Sequence, residues 1–411
     1  MDKNTEQLYQ ERLKRIIDAV QLRVPDRVPV SIPLSYFPAK FAGVKASDAF
    51  YDFKTWKQAC IKAALYLQPD RCATTFNQSG KVMEALDSKT MKWPGHGVDA
   101  RHTHQFVEGE YMKPEEYDLL LHDMSDFLVR YYLPRTYGLL EPLAKLPPLN
   151  TLMRGLPFNE LATPEFADIL SKLSTIAREA VAWQEELSSL HKELNELGFP
   201  ARSGLIGGGV PFDTISDFLR GMRGAMLDMY QRPDKLLEAI EMFSKIQLER
   251  IAAAPKATEF TLAFIALHRG ADGFMSIKQF EKFYFPYLKQ LVNALVDAGY
   301  TPDIFFEGDY TSRLEYLLEL PRGKVLGLFD KSDMKRVKEV LGGHMCIAGN
   351  VPSSILQTGS PEDVKSYCKW LIDVAGKDGG FIMAPGCSVD EANPVNVKTM
   401  VDFTREYGRY A

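Results

Sequence analysis

Cysteine is scarce and scattered in this chain. There are five, Cys60, Cys72, Cys346, Cys368 and Cys387, an odd number with no Cys-x-x-Cys pair. That pattern excludes a disulfide framework and fits a reducing compartment. No apolar run approaches the roughly eighteen residues of a membrane span, and Met1-Asp2-Lys3-Asn4 begins no secretory leader, so a cytoplasmic location is expected. Positive charge is not in excess either. With 49 Lys and Arg against 54 Asp and Glu the formal net charge is -5, so neither nucleic acid nor an anionic membrane is expected as the principal partner. A phosphate loop is also missing: Gly207-Gly208-Gly209 lacks the Gly-x-x-x-x-Gly-Lys-Ser/Thr spacing and reads as a plain loop or a lid.

What is present is apolar material for a large core, 45% of 411 residues, enough for two domains or one elaborated barrel. Between residues 303 and 387 a short apolar run ends four times on a polar or reactive residue and gives way to a helical pattern. The runs lead into Glu307, Asp330, Asn350 and Cys387. In parallel α/β folds ligands bind beyond the carboxyl ends of strands, so these positions are expected to converge on one pocket.

The rest of the chain supports that rhythm. Residues 5 to 21 and 54 to 68 read as amphipathic helices, with a first strand after Pro25-Asp26-Arg27-Val28-Pro29. Lys92 to Met112 reads as a hairpin or extended insertion, and residues 164 to 195 as one long helix. From residue 260 the alternation is clearest. Strands are expected at 260–267, 303–307, 324–329, 345–349 and 380–384, and helices at 311–319, 332–341, 361–375 and 394–407. A further helix begins at Ser276, which forms a capping box with Gln279, and Pro286 is expected to kink it. Adding the first strand and segments near 71–76 and 201–206 gives about eight strands. The expected fold is a single α/β domain, a (β/α)8 TIM barrel over residues 1–411, with an N-terminal helix in 1–24 and an insertion over about 77–200 covering the barrel mouth.

Glu307, Asp330 and Cys387 each end a strand, where a carboxylate or thiolate costs stability unless it is paired or bound to metal. Zinc takes cysteine sulfur, histidine nitrogen and carboxylate oxygen, with Asp330 either a third ligand or an acid. The competing reading has the carboxylates bonded to amides of the next helix and an inert cysteine. His268 ends the strand at 260–267 and suits a ligand or a general acid. Phe305 and Tyr310 flank Glu307, Phe274 and Met275 follow His268, and Asn350 lines the pocket; alternation places most of the aromatics in the core, and those at the rim would suit a planar apolar ligand. His96, His102 and His104 lie in the irregular insertion and read as part of a polar cover rather than a metal cluster.

Several segments now resemble one family. They are Asp26-Arg27-Val28-Pro29-Val30, Gly349-Asn350-Val351-Pro352, Ser360-Pro361-Glu362-Asp363-Val364, Gly379 through Cys387 and Asn393-Pro394-Val395-Asn396. Together they are similar to the uroporphyrinogen decarboxylase superfamily, with the middle of the chain matching weakly, and nearest to its corrinoid-linked methyltransferase branch. The resemblance implies the barrel. It departs from true decarboxylases at Ser31-Ile32-Pro33-Leu34-Ser35, where those carry Arg-Gln-Ala-Gly-Arg. It departs from the coenzyme M methyltransferases at Phe305-Phe306-Glu307, where a His-x-Cys zinc pair stands, while Cys387 matches their last ligand. A carboxylate in place of a thiolate makes a harder site, better suited to an ether oxygen than a thiol.

His268 through Ser276 and Glu108 through Met112 resemble methyltransferases that demethylate phenyl methyl ethers. The expectation is transfer of a methyl group from a methoxylated aromatic to the Co(I) corrinoid of a separate protein docking at the C-terminal mouth. Zinc on Glu307, Asp330 and Cys387 would act as Lewis acid, and His268 or Asp330 as proton donor. The chain carries no Asp-x-His-x-x-Gly corrinoid motif, and a homodimer is compatible with it. The alternatives are a lyase acting on a tetrapyrrole or another polycarboxylate, a methylcobamide:thiol methyltransferase, or a barrel that only binds its partner.

Overall fold

The structure is a computed structural model that describes residues 3–73, 78–154, 162–201 and 208–410. Its centre is a parallel sheet of β6 (Leu262–Leu267), β7 (Thr301–Phe306), β8 (Leu326–Phe329), β9 (Cys346–Ala348) and β10 (Phe381–Ile382), each paired with the next. A bridge from Val30 to Met383 carries the order on to β1 (Ser31–Pro33), which pairs in parallel with β2 (Arg71–Ala73). At the other edge Gly208 bridges Ile265 in parallel. Residues 202–206 of the expected strand at 201–206, and residues 74–76 of that at 71–76, lie outside the described residues. Curvature is nonetheless visible, because Arg71 reaches Asp303 on β7, 2.7 Å away. β2 ends the strand order on one side and β7 lies four strands beyond β1 toward the other, so these residues meet only across the concave face.

Register decides which residues occupy that face. Phe264, Asp303, Leu326 and Cys346 are neighbours across successive strands, as are Ala266, Phe305, Leu328 and Ala348. Strand side chains alternate faces, so the residues between them point outward into the layer of helices. There Ile265, Ile304, Phe306, Phe329 and Ile347 join the main core. At the amino ends of the strands α1 (Lys3–Val20) closes the inner space. Its Ile16, Ala19 and Val20 pack with Leu262, Leu326, Cys346, Ala348 and Ile382 in a separate cluster.

Local signals place most helices where the sequence indicated. Ser276 and Gln279 cap each other, as do Ser360 and Asp363, and Asn393 caps Pro394–Tyr407. The expected kink near Pro286 is present as a π turn, Phe280–Tyr284, followed by a fresh start at Phe285 that seats the proline in a first turn. The segment expected as a helix at 311–319 is 3-10 throughout, Thr311–Glu319.

Over the carboxyl ends lies the insertion. It includes a three-stranded sheet of β3 (Met91–Pro94), β4 (Gly97–Val98) and β5 (Gln105–Phe106), several short helices and the long helix Pro164–Glu196. Trp183 anchors that helix edge-on to Phe53, ring centroids 5.2 Å apart. His104 Nδ1 meets the Tyr36 hydroxyl at 2.8 Å, tying β5 to the loop after β1. Arg220 binds Asp228 and the Met112 carbonyl, with Tyr117 donating to the same aspartate.

Removing one partner of a buried ion pair strands a charge and costs about 3 kcal/mol or more. Arg71 and Asp303 are 13% and 7% exposed, so Asp303→Ala is expected to lose about that much stability in urea unfolding with an unchanged m-value. A loss below about 1 kcal/mol would show that the pair does not brace the sheet.

Candidate functional site

Leu267, Phe306 and Phe329 are the last outward-facing residues of β6, β7 and β8, aligned in register. The next residue of each strand is therefore inward and at the mouth. Those residues are His268, Glu307 and Asp330. The register thus delivers an imidazole and two carboxylates side by side from three segments far apart in sequence.

His268 is the best-supported of the three. Asp217 Oδ2 stands 2.5 Å from its Nδ1, and Glu307 Oε2 stands 3.8 Å from its Nε2. The Asp217 hydrogen bond raises the His268 pKa above the ordinary imidazole value, against an opposing contribution from burial, and the Asp213 and Glu307 charges add to the rise. A carboxylate accepting from Nδ1–H fixes the ring and turns Nε2, the nitrogen that gains or gives the titrating proton, toward the cavity. Asp217 itself is held by Arg269 Nη2 at 3.1 Å, and Arg269 Nε also donates to Ser216 at 3.0 Å.

Below this pair Asp213 fixes the backbone. Its carboxylate accepts from the amides of His268 and Arg269, each at 3.0 Å, and from the Tyr284 hydroxyl at 2.6 Å. Full burial pushes the Asp213 pKa up to about 6. Both aspartates lie in the segment opening with the helix Pro211–Ile215, one turn apart, so a single element aligns the strand end and orients its histidine.

Asp330 accepts from the Gly308 amide at 3.2 Å, and desolvation raises its pKa. Gly386 packs close to it: an added Cβ there would meet the Asp330 carbonyl and Oδ1 at 3.1 and 3.3 Å. Cys387 follows Gly386, partly buried, with its thiol pushed up by desolvation. Glu307, Asp330 and Cys387 are therefore the right donor types on one rim. Among the described residues no three His, Cys, Asp or Glu side chains are grouped closely enough to hold a metal ion.

Between the strand ends and the insertion lies a cavity of about 1220 Å³. Its floor is Phe264, Ala266, His268, Glu307 and Asp330, and its roof comes from Phe106, Tyr111, Tyr132, Tyr137 and Trp183. Of the expected substrate contacts, Phe274 lines it. Tyr310 and Met275 do not, being buried in the main core at 0% and 4% exposure. Phe305 lies on the inner face one layer below Glu307 and outside the lining. Asn350 is buried and turned to structure, donating to the Asp330 and Ser332 carbonyls and accepting from Tyr367. Asp217, Asp213 and the aromatic roof were not foreseen. A sequence signal existed for the first two, because aspartates four apart after a proline share one helical face.

A parallel α/β fold with an oriented histidine and carboxylates at its strand ends is what the architecture and site define. The chain belongs to the uroporphyrinogen decarboxylase (URO-D) family, whose model matches residues 162–407. It is 25% identical over 225 residues to a uroporphyrinogen decarboxylase of Syntrophotalea carbinolica, covering 53% of this chain and 62% of that protein. It is 26% identical over 129 residues to the methylcobamide:CoM methyltransferase MtbA of Methanosarcina acetivorans, covering 31% of this chain and 37% of that protein. Each match spans less than two thirds of the relative's length. In fold it resembles a methyltransferase from Methanosarcina mazei with a TM-score of 0.61, covering 96% of this chain and 98% of that one at 15% identity. No helix among the described residues is long and apolar enough to cross a membrane.

The His268–Asp217 pair makes stability depend on pH. A pKa higher in the folded than in the unfolded state contributes stability that is fully present below about pH 6.5 and is lost as the pH rises through the folded value. Asp217→Asn is therefore expected to cost more stability at about pH 5.5 than at about pH 9, read by urea unfolding at both. Equal losses would mean that the pair does not carry the shift.

Proposed function

We propose that this protein is the methyltransferase component of an O-demethylase, moving the methyl group of a methoxylated aromatic to the Co(I) corrinoid of a separate carrier protein. The observation that carries the reading is the composition of the cavity. It is roofed by aromatic rings, suited to a planar apolar substrate, and His268 is aimed into it with a raised pKa. An aryl ether leaves as phenolate, a poor leaving group, so the oxygen needs a proton or positive charge as the bond to carbon breaks.

The corrinoid, when its carrier docks over the mouth, supplies the nucleophile that takes the methyl group. His268 Nε2 gives its proton to the departing oxygen, and Asp217 stabilises the imidazolium before that transfer. The rings of the roof hold the substrate flat, and the insertion limits water around the reacting oxygen. Glu307, Asp330 and Cys387 are the residues that would hold a zinc ion, which would supply a Lewis acid for the same ether oxygen.

The decarboxylase relatives suggest a second reading, a lyase acting on a tetrapyrrole or another polycarboxylate. Such a substrate calls for arginine and lysine at the strand ends. The cavity lining holds Arg269 and Lys331 against Glu108, Asp217, Glu307 and Asp330, which favours the methyltransferase.

With methoxyphenols and a reduced corrinoid protein, the wild type is expected to form methylated corrinoid. His268→Ala should lose roughly 10²- to 10³-fold in kcat. Because a general acid must carry its proton, the rate should fall at high pH, and Asp217→Asn should move that limb to lower pH. No methylated corrinoid across a broad panel of ethers would overturn the assignment. Elemental analysis tests the metal separately: zinc near one equivalent, lost in Glu307→Ala and Cys387→Ala, supports the ligand set, and zinc absent or indifferent to both substitutions removes it.

A further inference from the structure

Resting on the reading above, we infer that the site selects its aromatic ethers by charge, taking neutral or cationic methoxyarenes and rejecting those with a ring carboxylate. Among the described residues, the cavity lining contributes four carboxylates and two permanent cations. The acids stand on both sides: Asp217, Glu307 and Asp330 on the strand-end side, and Glu108 on the insertion.

Neither cation is placed to reverse this. The Arg269 guanidinium is already bonded to Asp217 and Ser216 and lies 5.3 Å from the centre of the Phe274 ring. Recruiting it for a substrate anion would break the support of the carboxylate that orients His268. Lys331 is exposed and adjacent in sequence to Asp330. The His268 proton is directed at the ether oxygen, and a substrate carboxylate beside it would compete for that proton.

An anionic ring group therefore enters a space whose fixed charges are mostly of its own sign, with low-dielectric aromatic walls that weaken screening. Cations fare better, because the ring faces of the roof attract them as the carboxylates do.

Calorimetric titration of the full chain tests this with three probes sharing one ring pattern: 2-methoxyphenol, 4-hydroxy-3-methoxybenzoate and 4-hydroxy-3-methoxybenzylammonium. The benzoate is expected to bind about tenfold or more weaker than the neutral phenol. The ammonium compound, similar in size to the benzoate, should bind at least as tightly as the phenol. The gap between anion and cation should narrow as salt is raised, and Glu108→Gln should narrow it at low salt. Benzoate binding equal to or tighter than the phenol overturns the charge selection and leaves the ether reading standing. So does a gap that salt does not change, which marks shape rather than charge. Failure of all three probes to bind overturns both.

Discussion

The register between β6, β7 and β8 is the constraint on which the site depends. Leu267, Phe306 and Phe329 are fixed opposite one another by backbone hydrogen bonds, and the residue after each has no freedom to face elsewhere. A slip of one residue would turn His268, Glu307 and Asp330 into the helical layer and bring three apolar side chains to the mouth. Packing against two layers enforces the register. Ile304, Phe306 and Phe329 fill the space beneath the helices, while Asp303 pairs across the concave face with Arg71.

On that scaffold two carboxylates from the segment beginning at Pro211 complete the histidine. Asp213 holds the backbone of the strand end and Asp217 holds the ring. The division of labour is electrostatic as well as geometric. Asp213, fully buried, is driven toward its neutral form, whereas Asp217 is bonded to Arg269 on one side and to the imidazole on the other. The insertion then sets the character of the volume above them, with rings facing acids across the cavity.

Much of this was legible in the sequence, for physical reasons. Strands of four to six residues ending on a charged residue announce themselves by hydropathy alone, and Ser276, Ser360 and Asn393 mark helix starts through local side-chain-to-backbone bonds. His268, Glu307 and Asp330 could be named because alternation fixes their face. What could not be read were contacts between distant segments. Asp217 lies 51 residues before His268, and nothing local says that they meet. Tyr310 and Asn350 were placed at the pocket by closeness to a strand end. After the turn at Gly308 alternation no longer applies, and Tyr310 falls into the core. The Asn350 amide is used to tie its own turn to the loop after β8 and to Tyr367 on the helix Pro361–Leu371.

The seat of α1 has a consequence for how the molecule assembles. Ile16, Ala19 and Val20 have no complete partner surface until Leu262, Leu326, Cys346 and Ile382 stand side by side, and the last of these comes near the end of the chain. The seat of this helix is thus completed late. Contacts of such long sequence separation are slow to form, because the chain between them must be ordered first. During synthesis the apolar stripe of α1 has to wait unpaired while more than three hundred residues emerge behind it, an interval in which its company is water, chaperones or another copy of itself.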